Sequence, residues 1–92
     1  VEIRLTKRFL AAVRRLPAAD AAAVDTALAQ LLATFGRPHV HTGGSVRPIR
    51  APVYELRATL ALRVVFTRDG DTLKVDFVGT HADLQRYLRN TR

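Results

Sequence analysis

Two apolar runs, residues 60–67 and 72–78, each with an apolar residue at every second position, flank the tetrapeptide Arg68-Asp69-Gly70-Asp71. This constrains the chain more than any other feature. Period-two alternation marks a strand with one buried face, and Asp-Gly between two such runs is a strong hairpin turn. A third run, 53–58, precedes the pair. By parity, Tyr54, Leu56, Leu62, Val64, Phe66, Leu73, Val75 and Phe77 share the apolar side, leaving Glu55, Arg57, Arg63, Val65, Thr67, Lys74, Asp76 and Val78 on the other. A sheet face carrying Glu55, Arg57, Arg63, Lys74 and Asp76 is either a solvated surface laced with cross-strand ion pairs or a binding surface.

The apolar faces need a cover, and the N-terminal half supplies one. Val1, Ile3 and Leu5 alternate as a strand, after which Thr6 can cap a helix over 7–16 with Phe9, Leu10, Val13 and Leu16 on one side. Pro17 ends that helix or begins the next. Val24, Leu28, Leu31, Leu32 and Phe35 form a single stripe over 18–35, terminated by Gly36 and Pro38. Residues 36–52 hold three of the four prolines and three of the five glycines, and read as a loop with a short strand at 46–49. Residues 81–90, with Leu84, Tyr87 and Leu88 at helical spacing, read as a short C-terminal helix. The expected fold is α+β: an N-terminal strand, a helical hairpin packed on a small, mainly antiparallel sheet, and a terminal helix, all in one domain spanning 1–92.

The formal charge is +7, and 13 of the 15 cations are arginine. Arginine's planar fork pairs bidentately with phosphate, although alanine-rich, GC-biased coding produces the same preference. Position is more informative than count: residues 1–35 carry five cations and three acids, residues 36–92 ten and five. The charged partner is therefore expected to meet the C-terminal part. The absence of cysteine removes disulfides and thiolate metal sites. No apolar run approaches the roughly 20 residues that span a bilayer, so the expectation is a soluble cytoplasmic chain without membrane contact.

The segments VYELRATLALRVVF and DFVGTHADLQRYL, in that order after a strand and two helices, resemble the C-terminal half of the RelE/ParE toxin superfamily. The resemblance covers nearly the whole chain. It implies the RelE-like fold and the toxin of a type II toxin–antitoxin system, with the RelE, YoeB and YafQ-like branch favoured. Members of that branch are ribosome-dependent, metal-free mRNA endonucleases that inhibit translation. The ParE branch, which acts on DNA gyrase, is the alternative, as is a degenerate member that only binds its antitoxin. Arg63 falls on the arginine such nucleases carry in the penultimate strand, and Arg57 on one of two basic positions in the strand before. Glu55 departs from the pattern by replacing the other basic position. His81 matches the histidine of the YoeB and YafQ type, and Tyr87 a catalytic tyrosine near the C-terminus. The implied partners are a cognate antitoxin, the ribosome and mRNA, with operator DNA reached only through the antitoxin and no cofactor required.

Metal-free RNA cleavage needs a base for the 2′-hydroxyl, cations for the phosphorane and an acid for the leaving 5′-oxygen. Histidine exchanges protons near neutrality, so His81 is the candidate acid, with Arg63 and Arg57 as phosphate clamps and Glu55 as base. Arg47, Lys74 and His41 are candidate RNA contacts. Each has a plainer reading: His81 as a helix cap, Tyr87 as a packing residue, Arg63 as an ion-pair partner of Glu55 or Asp76. His39, His41 and His81 could be gathered as metal ligands, but a metal site is not expected.

Overall fold

The computed structural model describes residues 1–35 and 46–90. Its elements are β1 (Glu2–Leu5), α1 (Lys7–Arg14), α2 (Ala18–Thr34), β2 (Val46–Arg50), β3 (Val53–Arg57), β4 (Leu62–Asp69), β5 (Thr72–Thr80) and α3 (His81–Asn90). The five strands form one sheet in the order β1-β5-β4-β3-β2, antiparallel except for β1 beside β5. This is the expected α+β arrangement. No described helix is long and apolar enough to cross a membrane.

Local chemistry explains the boundaries. The Thr6 side chain accepts the amide of Phe9 at 3.1 Å and caps α1. Pro17 occupies the N-cap of α2. Gly70, at φ +60°, opens a two-residue β4–β5 turn, and a positive φ at the first turn residue is what glycine supplies in a type II′ hairpin. Residues 46–50 form the edge strand β2, where Pro48 is tolerated because its missing N–H need serve no outer neighbour.

The helical hairpin covers one sheet face. Phe9, Val24, Ala27 and Leu31 pack there with Leu56, Leu62, Val64, Phe66, Leu73, Val75 and Val78. Burying such side chains is the main stabilising term, on the order of 2 kcal/mol each. Phe35 closes the far end of this core, meeting Tyr54 and Phe66 edge-on with centroids 5.8 and 5.7 Å apart.

The parity expected for β5 fails halfway along it. Val65 pairs with Phe77, but Phe66 pairs with Val75, so Asp76 is an extra residue in a β-bulge. Beyond it the faces exchange. Val78 joins the core, and Phe77 turns to the opposite side, where α3 lies. There Tyr87 stacks on Phe77 at 4.6 Å, and Val65 and Leu84 are fully buried. The second sheet face is thus partly roofed by α3. Gly79 is required beneath it, because a Cβ at that position would come within 2.8 Å of the Phe77 ring and 2.9 Å of Asp83 Cβ.

Candidate functional site

On the face away from the hairpin, residues directly opposite one another on neighbouring strands share a side and form rows. One row runs Arg57, Arg63, Gly79. The next runs Arg47, Glu55, Val65, Phe77. His81 follows Thr80, which pairs with Leu62, so it stands at the same end of the sheet as Arg57 and Arg63. All three thus lie toward one end of the sheet, with Glu55 and Arg47 one row inward.

Glu55 organises the group. Its carboxylate is buried, with 9 % side-chain exposure, between Arg63 Nε at 3.3 Å and Arg47 at 3.5 Å. Arg63 is itself 13 % exposed, and its Nη1 donates to the carbonyls of Thr59, Leu60 and Leu62 at 3.0, 3.0 and 3.3 Å. The guanidinium therefore does two jobs: it neutralises Glu55 and gathers the carbonyls of the β3–β4 turn. Thr59 completes that turn by accepting the amides of Ala61 and Leu62 on its hydroxyl. Of the two ion-pair partners the sequence offered Arg63, the structure selects Glu55; Asp76 instead accepts from Tyr87.

Two arginines remain able to meet an outside anion. Arg47 is 69 % exposed, and water weakens its bond to Glu55. Arg57 is exposed, lies across from the neutralised Arg63, and makes no ion pair with a described residue. His81 is exposed and bonded to no described residue. It does not cap α3. That role belongs to Thr80, whose hydroxyl accepts the amide of Asp83 at 3.1 Å while Asp83 accepts the amide of Thr80 at 3.0 Å. The Thr80 amide first, and then the Thr80 hydroxyl, hold the Asp83 carboxyl below its ordinary value of 3.8, assisted by Arg86 at 3.5 Å. The reciprocal Thr80-x-x-Asp83 signature was visible in the sequence and leaves the imidazole of His81 uncommitted.

Tyr87 is both packed and polar. Its ring stacks on Phe77, the guanidinium of Arg8 stands 5.9 Å from its centroid, and its hydroxyl donates to Asp76 Oδ2 at 2.8 Å. Tyr87, Phe77 and Arg8, with Asp83 and Arg86, line a shallow groove of about 300 Å³ between α1 and α3. Lys74 is exposed on the same sheet face but pairs with Thr67 and Arg4, about 15 Å along β5 from the Gly79 row. It does not join the cluster. His41, like His39, lies outside the described residues. Among the described residues no three histidine, aspartate or glutamate side chains are grouped as a metal would need. Arg8 and Phe77 had no distinct sequence signal, since one sits on a helix surface and the other was turned by the bulge.

This arrangement of strands and helices is a RelE-type fold. The crystal structure of the isolated E. coli RelE toxin superposes with a TM-score of 0.63 and 14% identity, covering 98% of this chain and 98% of that one. That of E. coli YafQ superposes with a TM-score of 0.56 and 18% identity over 90% of this chain and 96% of that one. No protein-family model and no curated protein sequence matches the chain.

Proposed function

We propose that the chain is the toxin of a type II toxin–antitoxin pair and acts as a ribosome-dependent endoribonuclease on mRNA. One observation carries the reading. In a RelE-type fold, Arg57 and His81, which pair with no described residue, and the anchored Arg63 lie toward one end of the sheet, beside an exposed arginine that an anion can draw away from a buried carboxylate.

The chemistry follows from those positions. An RNA phosphate binds Arg57 and Arg47, whose guanidiniums take the charge that develops on the nonbridging oxygens. Drawing Arg47 onto the phosphate releases Glu55 Oε1, which accepts the proton of the neighbouring 2′-hydroxyl, while Oε2 stays with Arg63. The 2′-oxygen bonds to phosphorus, the bond from phosphorus to O5′ breaks, and His81 gives O5′ its proton. The products are a 2′,3′-cyclic phosphate and a 5′-hydroxyl end. Arg63 acts as the fixed support of Glu55 rather than as the leading clamp, and Tyr87 borders the groove where the adjoining nucleotide lies. Lys74 supplies a more distant contact to the backbone, and His41 is assigned a contact from the 36–45 segment.

By the same reading a cognate antitoxin neutralises the chain, and operator DNA is reached only through it. Leu10 and Leu32, both exposed on the helical hairpin, offer that partner an apolar hold. The test is primer extension on translated message in cells expressing the chain. Discrete new 5′ ends that vanish with His81→Ala are expected, whereas intact message accompanied by DNA damage would overturn the reading in favour of gyrase inhibition.

A further inference from the structure

The β-bulge in β5 does more than exchange faces. By inserting Asp76 it points a carboxylate toward α3, where Oδ2 accepts the Tyr87 hydroxyl at 2.8 Å. The tyrosine is then held on three sides: Phe77 lies against one face, Arg8 stands over the ring, and Asp76 fixes the hydroxyl end. Asp76 makes no ion pair with a described residue, and it is half-buried, where a hydrogen bond to a charged acceptor is stronger than at an open surface. A bulge that turned the strand without serving a side chain would need no carboxylate there. Bulges recur beside functional sites because they re-aim a side chain without disturbing the rest of the strand.

We propose that Asp76 is a positioning residue: through the Tyr87 hydroxyl it fixes the aromatic wall of the groove between α1 and α3, against which an unpaired RNA nucleotide is placed. This rests on the reading of the site as RNA-binding. It extends that reading by making RNA affinity depend on a strand residue that need not touch RNA. Asp76→Ala removes the acceptor, whereas Asp76→Asn keeps an oxygen in its place. Losing one charge-assisted hydrogen bond that orders a contact residue corresponds to a roughly tenfold loss of affinity.

The experiment is a double-mutant cycle on the purified full chain, binding a single-stranded 2′-O-methyl oligonucleotide that cannot be cleaved, with mRNA cleavage on ribosomes followed in parallel. Asp76→Ala and Tyr87→Phe should each weaken binding roughly tenfold, Asp76→Asn by less than about threefold, and the double variant Asp76→Ala/Tyr87→Phe no more than Tyr87→Phe alone. A purely structural role for Asp76 would make the two losses multiply. That result overturns the proposal, as does wild-type affinity in Asp76→Ala, or a wild-type chain that does not bind the oligonucleotide. If the cycle behaves as stated and no message is cut, the nuclease reading fails while the role of Asp76 stands. If message is cut equally well by wild type and Asp76→Ala, with equal binding, the reverse holds.

Discussion

Removing the Glu55 carboxylate should destabilise the protein more than any other single change at the sheet's polar face. The substitution Glu55→Ala leaves the guanidinium of Arg63 buried and uncompensated, although its bonds to the Thr59, Leu60 and Leu62 carbonyls persist. At 3.3 Å the gross attraction is about 5 kcal/mol for an effective dielectric near 20, but desolvation offsets much of it. Breaking such a pair by deleting one partner costs about 3–5 kcal/mol, and the surviving carbonyl bonds favour the lower figure. The exposed Arg47 contact adds no more than about 1 kcal/mol. A loss of about 3 kcal/mol is a large part of the roughly 5–14 kcal/mol that a chain of this length commands, and corresponds to a Tm lowered by about 15 °C. Glu55→Gln, which retains an acceptor, should lose about half as much. The assay is urea and thermal unfolding followed by circular dichroism, together with Arg63→Met alone and in combination with Glu55→Leu. A coupling energy of at least about 1.5 kcal/mol between the two positions is expected. Unfolding of Glu55→Ala within about 0.5 kcal/mol of wild type, with additive effects in the cycle, would refute the claim that Glu55 and Arg63 form one buried unit.

Other outcomes follow from the junction of β5 and α3. Gly79→Ala should lower stability by about 1–3 kcal/mol in thermal melts, because its methyl group would strike the Phe77 ring and Asp83. Thr80→Ala removes the cap of α3 and should cost about 1 kcal/mol, with faster amide exchange confined to the first turn of that helix. The Asp83 carboxyl is held below 3.8 in the folded chain, so its contribution to stability is fully present above that value and fades as pH falls through the lowered one. Wild type should therefore exceed Asp83→Asn in stability at neutral pH, and the advantage should shrink on acidification, as unfolding midpoints measured across pH would record.

Much of this architecture was legible in the chain because local chemistry and tertiary packing agree there. Thr6, Pro17 and Gly70 act through their immediate neighbours, and the Val24 to Leu31 stripe buries where its spacing directs. The second half of β5 was different. Residues 72–77 alternate, and only Val78, an apolar residue at a polar position, hints at the bulge, since the extra residue is counted only against β4. That one residue moved Val78 into the core and Phe77 out of it, and so created the stack on which Tyr87 rests. At the candidate site, parity placed Arg57, Arg63 and Glu55 together, which the register reproduces. It did not reveal that Arg63 spends its guanidinium on the β3–β4 turn, because hydrogen bonds to backbone carbonyls leave no trace in residue type. Lys74 had the right face and the wrong height along the strand.

The most direct measurement is cleavage of a defined mRNA on purified ribosomes, with the ends of the fragments identified chemically. The account predicts cuts within the translated message, 2′,3′-cyclic phosphate and 5′-hydroxyl termini, and losses of at least about a hundredfold in rate for His81→Ala and Arg57→Ala in chains that still fold. Message left whole by the folded wild-type chain, or cut equally by wild type and His81→Ala, would contradict it.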